Sequence, residues 1–251
     1  MVESLLIVEN VSKRFGGLLA IDRVSFQVRT GKITALIGPN GAGKTTLFSI
    51  ISGFLPPDDG RVLYNGADIT AEPPHNRARR GVARTFQIVQ PFAGLTVREN
   101  IAIGSHLRQR SRAAALEAAN QVAHSVALGT QLEAPAATLT VAASKRLELA
   151  RALAIAPRLL LLDEVLAGLN PSEIRDMVPV VRELTARGTT ILMTEHVMQA
   201  VTALAEYVLV LAEGRIIARG TVQDVATDPR VVEAYLGSGA ARRITAGSAH
   251  G

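Results

Sequence analysis

"GPNGAGKTT", residues 38 to 46, is the stretch that decides the fold. It follows the apolar run "KITALI" and precedes "LFSIIS", so a glycine-rich loop joins a strand to a helix. The pattern G-x-x-x-x-G-K-[ST] is met by Gly38, Gly43, Lys44 and Thr45, with Pro39, Asn40, Gly41 and Ala42 as the turn and Thr46 opening the helix. Glycines let backbone amides curl around phosphate oxygens, and a helix N-terminus adds a positive dipole end. Lys44 is expected to neutralise the β and γ oxygens of ATP, while the Thr45 hydroxyl is placed for Mg²⁺. The ordinary alternative is a glycine turn before a core helix. At glycine usage near ~7%, the full pattern arises by chance on the order of once per hundred chains of this length.

Working outward, the next chemical signal is "LLLLDE" at residues 159 to 164. Asp163 ends an apolar run and is a candidate to hold Mg²⁺ through water; Glu164 is a candidate base for the attacking water. Acidic residues often cap buried strands, so the pair draws its weight from the phosphate loop upstream. "RLLLLDE" and "TTILMTEH" are continuous apolar runs, the pattern of strands buried on both faces of a parallel sheet. Upstream, "LLIVENV", "AIDRVSFQV" and "RVLYNG" read as short strands between turns. From Thr96 to about Ala156 the pattern turns helical and alanine-rich. One helix there starts at "LTVAASKRLELARAL", residues 139 to 153, with Thr140 as N-cap. Asn170 and Pro171 supply a cap and a first-turn proline for a helix through about Arg187, which Pro179 should kink. "YVLVLAEGRIIARG" reads as a hairpin and "VVEAYL" as a last short helix. The reading is an α/β domain over residues 1–237, a helical insertion near 90–155, and a disordered tail over 238–251.

Composition excludes several classes. Of 251 residues, 48% are hydrophobic, enough for one large core. No stretch reaches the roughly 18 uncharged apolar residues that span a bilayer. The opening "MVESLLIVEN" has acidic residues and no basic stretch, so no secretory signal is expected there. Zero cysteines excludes disulfides, thiolate chemistry and cysteine zinc sites. The net charge of +5 is compatible with nucleic acid, but the basic residues are dispersed and tryptophan is absent, so no nucleic-acid partner is expected.

Taken together, the residues resemble a family: the ATP-binding subunits of ABC transporters, over about residues 4 to 237. Gln87 in "ARTFQ" stands where that family places a glutamine contacting Mg²⁺ and the attacking water. His196 in "MTEH" matches its γ-phosphate-sensing histidine, and Phe15 in "SKRFGG" its adenine-stacking aromatic. "LAGLNP" matches the loop that crosses to the other subunit. "GVARTFQIVQPFAGLTVREN" and "DPRVVEAYLG" look like the ATPases of branched-chain amino-acid importers. Each residue alone has a structural reading; their order and spacing together argue against coincidence. The resemblance implies a P-loop NTPase (RecA-like) core with an N-terminal antiparallel β subdomain and an all-helical insertion subdomain. It implies ATP and Mg²⁺ as ligands, a second ATPase subunit, integral membrane permease subunits and, indirectly, a periplasmic or surface binding protein. It places the chain in the cytoplasm, peripheral on the inner face of the cell membrane.

The family signature, Leu-Ser-x-Gly-Gln or a near variant, falls at Leu139–Ala143. Here Leu139 and Thr140 keep the leucine and a hydroxyl, Ala142 replaces glycine and Ala143 replaces glutamine. Alanine favours helix over glycine by about 1 kcal/mol. Its methyl group, however, crowds the closest approach to phosphate. The expectation is a turn that still faces nucleotide but does so less well, which favours a heterodimer over a homodimer. Two alternatives stay open: a catalytically weak ATP-binding subunit acting as a nucleotide-driven dimerisation module, and a soluble P-loop NTPase.

Overall fold

The computed structural model describes residues 3–86 and 90–236. The chain opens with β1 (Ser4–Phe15), β2 (Leu18–Arg29) and β3 (Ile33–Ile37), then turns through the glycine loop into α1 (Lys44–Ser52). Next come β4 (Asp59–Tyr64), β5 (Ala67–Asp68), α2 (Pro74–Arg80) and β6 (Val82–Arg84). A helical stretch follows: α3 (Val97–Ser105), α4 (Arg112–Ser125) and α5 (Val141–Leu153). The chain returns to β7 (Leu159–Asp163), α6 (Pro171–Ala186), β8 (Thr190–Thr194) and α7 (Met198–Leu204). It closes with β9 (Tyr207–Ala212), β10 (Arg215–Gly220), α8 (Val222–Ala226) and α9 (Pro229–Leu236). The segment 238–251, read as a disordered tail, lies outside the described residues.

Two sheets result. One is antiparallel, in the order β2-β1-β4-β5; the other runs β10-β9-β3-β8-β7-β6. In the second sheet β3, β6, β7, β8 and β9 are parallel, and β10 hairpins back along β9. The ends of β3, β7 and β8 therefore point one way, which brings the glycine loop, the acidic pair and His196 to the same edge.

The continuous apolar runs have a direct explanation. Alternate side chains of each central strand enter different cores. Ile33, Ala35 and Ile37 of β3, Leu160 and Leu162 of β7, and Ile191 and Met193 of β8 face the core shared with α5 and α6. Leu36, Leu159, Leu161 and Leu192 face the other way, against Leu47, Phe48, Ile50 and Ile51 of α1 and the inner residues of β1 and β2. Both faces are thus closed to water, so strict polar alternation would leave unpaired polar groups inside. Helix α1 is clamped between the two sheets, which fixes the loop at its head.

A kink is expected at Pro179. Helix α6 continues past Pro179 to Ala186, with Pro179 on its exposed face. Asn170 accepts from Ser172 and Glu173 backbone amides, and Glu173 answers to Asn170 in a capping box. Ile174, Met177, Val181 and Leu184 bury one stripe. A capped, packed helix tolerates one proline where the freed carbonyl meets water. No helix among the described residues is long and apolar enough to cross a membrane.

Candidate functional site

The loop at the head of α1 is built by close approach. At Gly38 a Cβ would lie 2.0 Å from the Leu211 carbonyl oxygen of β9. Gly43 has φ +106°, and a Cβ there would meet the Ala20 carbonyl oxygen at 2.7 Å. Both positions exclude any larger residue. The Ala42 amide donates back to the Pro39 carbonyl, while Asn40, Gly41 and Thr45 face solvent and Thr46 is half-buried. No side chain caps α1, and its first turn holds no acidic residue. A helix start left open in this way suits an anion.

Lys44 is buried, and its Nζ donates to the carbonyls of Gly38 at 2.7 Å and Pro39 at 3.0 Å. Burial pushes its pKa down, opposed by the charges of Glu164 and Asp163. The structure therefore brings Lys44 together with the consecutive pair Asp163 and Glu164 from two separate stretches of chain.

Asp163 ends β7, almost wholly buried. Its Oδ1 accepts from the Thr194 hydroxyl at 2.8 Å and its Oδ2 from Arg84 at 2.7 Å. Its amide donates to the Thr85 hydroxyl at 3.0 Å. Glu164 takes a left-handed backbone, φ +49°, held by its amide donating to the Thr194 carbonyl at 3.1 Å. That conformation is costly for a non-glycine residue and turns the carboxylate away from the strand. His196 Nδ1 lies 3.8 Å from Glu164 Oε1, with the histidine side chain 55% exposed. Phe15, at the end of β1, is 49% exposed. Gln87 lies outside the described residues.

The alanine-bearing turn caps as its sequence implies. Thr140 accepts from the Ala143 amide at 3.2 Å, and Thr140 and Val141 are exposed while Ala143 is buried. From the same helix Lys145 reaches across to donate to the Glu164 carbonyl at 3.3 Å. The structure also adds residues that motif reading passed over: Arg84, Thr194, Glu195 and Lys145. Glu195 is buried, accepts from the Leu166 amide at 2.8 Å, and has its second oxygen without a partner among the described residues. Burial raises its pKa. Its neighbours in "MTEH" carry the signal that was available: three polar residues in succession at the end of a buried strand.

A groove of about 900 Å³ opens beside this centre, lined by Thr45, Arg84 and Asp163 together with Phe86, Phe92 and Ile103.

Comparison with known proteins agrees with this geometry. The sequence profile described as "ABC transporter" matches residues 21–167, and one described as "Branched-chain amino acid ATP-binding cassette transporter" matches residues 215–241. The chain is 38% identical over 248 residues to the probable branched-chain amino acid transport ATP-binding protein LivG of Archaeoglobus fulgidus, covering 93% of this chain and 96% of that one. It is 36% identical to the high-affinity LivG protein of Escherichia coli K12, covering 94% and 99%. Among solved structures, a nucleotide-free ATP-binding cassette from an ABC transporter superposes with a TM-score of 0.86 at 35% identity, covering 94% of this chain and all of that one. A cassette solved in its ADP conformation matches equally well, at 35% identity and a TM-score of 0.86.

Proposed function

This chain belongs to the ABC transporter family, as one of its ATP-hydrolysing subunits, and on that premise we propose that it energises import of branched-chain or related amino acids. One observation carries the reading: a buried lysine at an open helix start and two consecutive carboxylates from the end of a distant strand meet at one edge of a parallel sheet. That set binds and hydrolyses a nucleoside triphosphate. Lys44 and the loop Gly38–Thr46 hold the phosphates, Glu164 takes the proton of the attacking water, and His196 and Gln87 contact the γ-phosphate and the water. Phe15 stacks on the adenine.

Mg²⁺ fits the donors present. The Thr45 hydroxyl and the Asp163 carboxylate line the same groove as hard oxygen donors. Both Asp163 oxygens already accept hydrogen bonds, which suits contact through water rather than a dedicated protein cage. Thr45, Asp163 and Gln87 are the residues that would hold the ion, which would neutralise charge on the phosphates.

As a transporter ATPase the chain works with permease subunits and a second ATPase subunit. We take residues 1–237 as the ATPase domain and the helices within 90–155 as the lobe that docks on the permease at the inner face of the membrane. A binding protein on the other face would deliver the substrate. Exposure of Thr140 and Val141 supports a turn donated across a dimer. The alanines at 142 and 143 favour a heterodimer, in which this chain's turn completes the weaker site.

Reconstitution tests the function: the complex purified from native membranes, placed in vesicles, should take up a branched-chain amino acid only with ATP. Turnover by the lone chain that yields a phosphorylated small molecule would instead establish a soluble NTPase. A narrower expectation concerns Phe15→Ala, which removes the stacking face. It should weaken ATP binding by about 1 kcal/mol, roughly fivefold in Kd, measured by equilibrium dialysis. An unchanged Kd would return Phe15 to a structural role.

A further inference from the structure

We propose that Arg84 is a positioning residue that holds the Asp163 carboxylate and passes its state to the groove wall at Phe86. The proposal rests on the nucleotide–Mg²⁺ reading of the site above.

Five contacts converge on one buried guanidinium. Nη2 donates to Asp163 Oδ2 at 2.7 Å, and the two side chains are only 7% and 5% exposed. Nη1 donates to the hydroxyls of Ser49 at 3.1 Å and Ser52 at 3.2 Å, both on α1. The guanidinium carbon lies 5.4 Å from the Phe86 ring centre and 5.8 Å from that of Phe48. Nε is buried without a partner among the described residues.

A buried ion pair repays its desolvation poorly, and an apolar pair of similar volume is often as stable. Stability is therefore a weak reason for this arrangement. What the arrangement does provide is a short rigid path. Asp163 lines the groove with Thr45, and Arg84 grips it. Phe86 packs on Arg84 and meets Phe54 edge to face at 5.6 Å. Phe86 and Phe54 are 44% and 56% exposed, so the path ends at a surface. A divalent cation held near Asp163 would repel the guanidinium paired with that carboxylate, and a flat cation resting on a ring would move that ring when it shifts. Only arginine combines the fork with the stacking face.

The chain contains no tryptophan, so Phe86→Trp installs a single reporter in the full-length protein. Emission is recorded with ATP plus Mg²⁺ and with ATP plus EDTA, and ATP binding is measured separately by equilibrium dialysis. The expected result is an emission change specific to Mg²⁺. Adding Arg84→Met should abolish that change while the Kd for ATP without Mg²⁺ stays within about threefold, since Arg84 touches Asp163 and not the phosphate loop. Arg84→Lys, which keeps charge and fold but not the planar fork, should lose most of the change too. A role confined to packing would alter folding stability and leave the Mg²⁺-specific signal intact. The proposal is overturned if the change persists in either Arg84 variant, or if the reporter binds Mg²⁺–ATP and stays silent. Failure of the unsubstituted chain to bind ATP at all would overturn the nucleotide reading instead.

Discussion

Lys44→Ala is expected to weaken ATP binding on the order of a hundredfold, a loss of ~3 kcal/mol, by removing the buried partner of a charged ligand. The size follows from the geometry. Nζ is fixed by the carbonyls of Gly38 and Pro39, so the ammonium sits at the mouth of the loop with little rotamer entropy left to lose. Burial disfavours its charge, the carboxylates of Glu164 and Asp163 favour it, and a polyphosphate adds to the second influence. Truncation removes that attraction without an obvious cost to the fold. Alanine is a strong helix former, and no buried charge is left behind at position 44. The variant should therefore show native circular dichroism and a Kd for ATP raised about a hundredfold, measured by equilibrium dialysis. An unchanged Kd would remove the loop Gly38–Thr46 from the site.

Glu164→Gln should leave ATP binding intact and lower turnover of the assembled complex by about 10²–10⁴-fold, the range for loss of a general base. The amide has the same shape, so the left-handed turn at Glu164 and its bond to Thr194 are kept. The proton acceptor is what disappears. Because hydrolysis then fails after closure, the two ATPase subunits should stay together in ATP, visible as a dimer by size-exclusion chromatography. Ordinary ATPase in that variant would transfer the base role to another group, with His196, 3.8 Å away, the first to test.

How much of this was legible in the sequence depends on the distance over which each feature is encoded. The phosphate loop is local: glycines, lysine and threonine within one turn, flanked by a strand and a helix. So are the caps at Thr140 and at Asn170, where one side chain serves amides two or three residues on. The apolar runs of β3, β7 and β8 announced burial on both faces, because each side chain must enter one core or the other. Short elements were not legible. Helix α2, seven residues opening on Pro74, and β6, three residues beside β7, have too few positions to display a period. Helix α6 was legible in its extent, from the Asn170 cap through Pro179 to Ala186, because its buried stripe keeps the helical period. The least legible feature is the Arg84–Asp163 pair, 79 positions apart along the chain. Nothing in "ARTFQ" or "LLLLDE" alone pairs them; only the parallel registry of β6 and β7 does, with Arg84 opposite Leu161.

Under the proposed function this chain owns a complete phosphate-binding and hydrolytic set, while the turn it donates to its partner is weakened by Ala142 and Ala143. The most direct test places Glu→Gln separately in each ATPase subunit of the purified complex and measures ATPase at saturating ATP. Loss should be nearly complete for Glu164→Gln in this chain and partial for the equivalent change in the partner, and Ala142→Gly should then raise turnover at the partner's site alone. Equal losses, or the larger loss in the partner, would contradict the account.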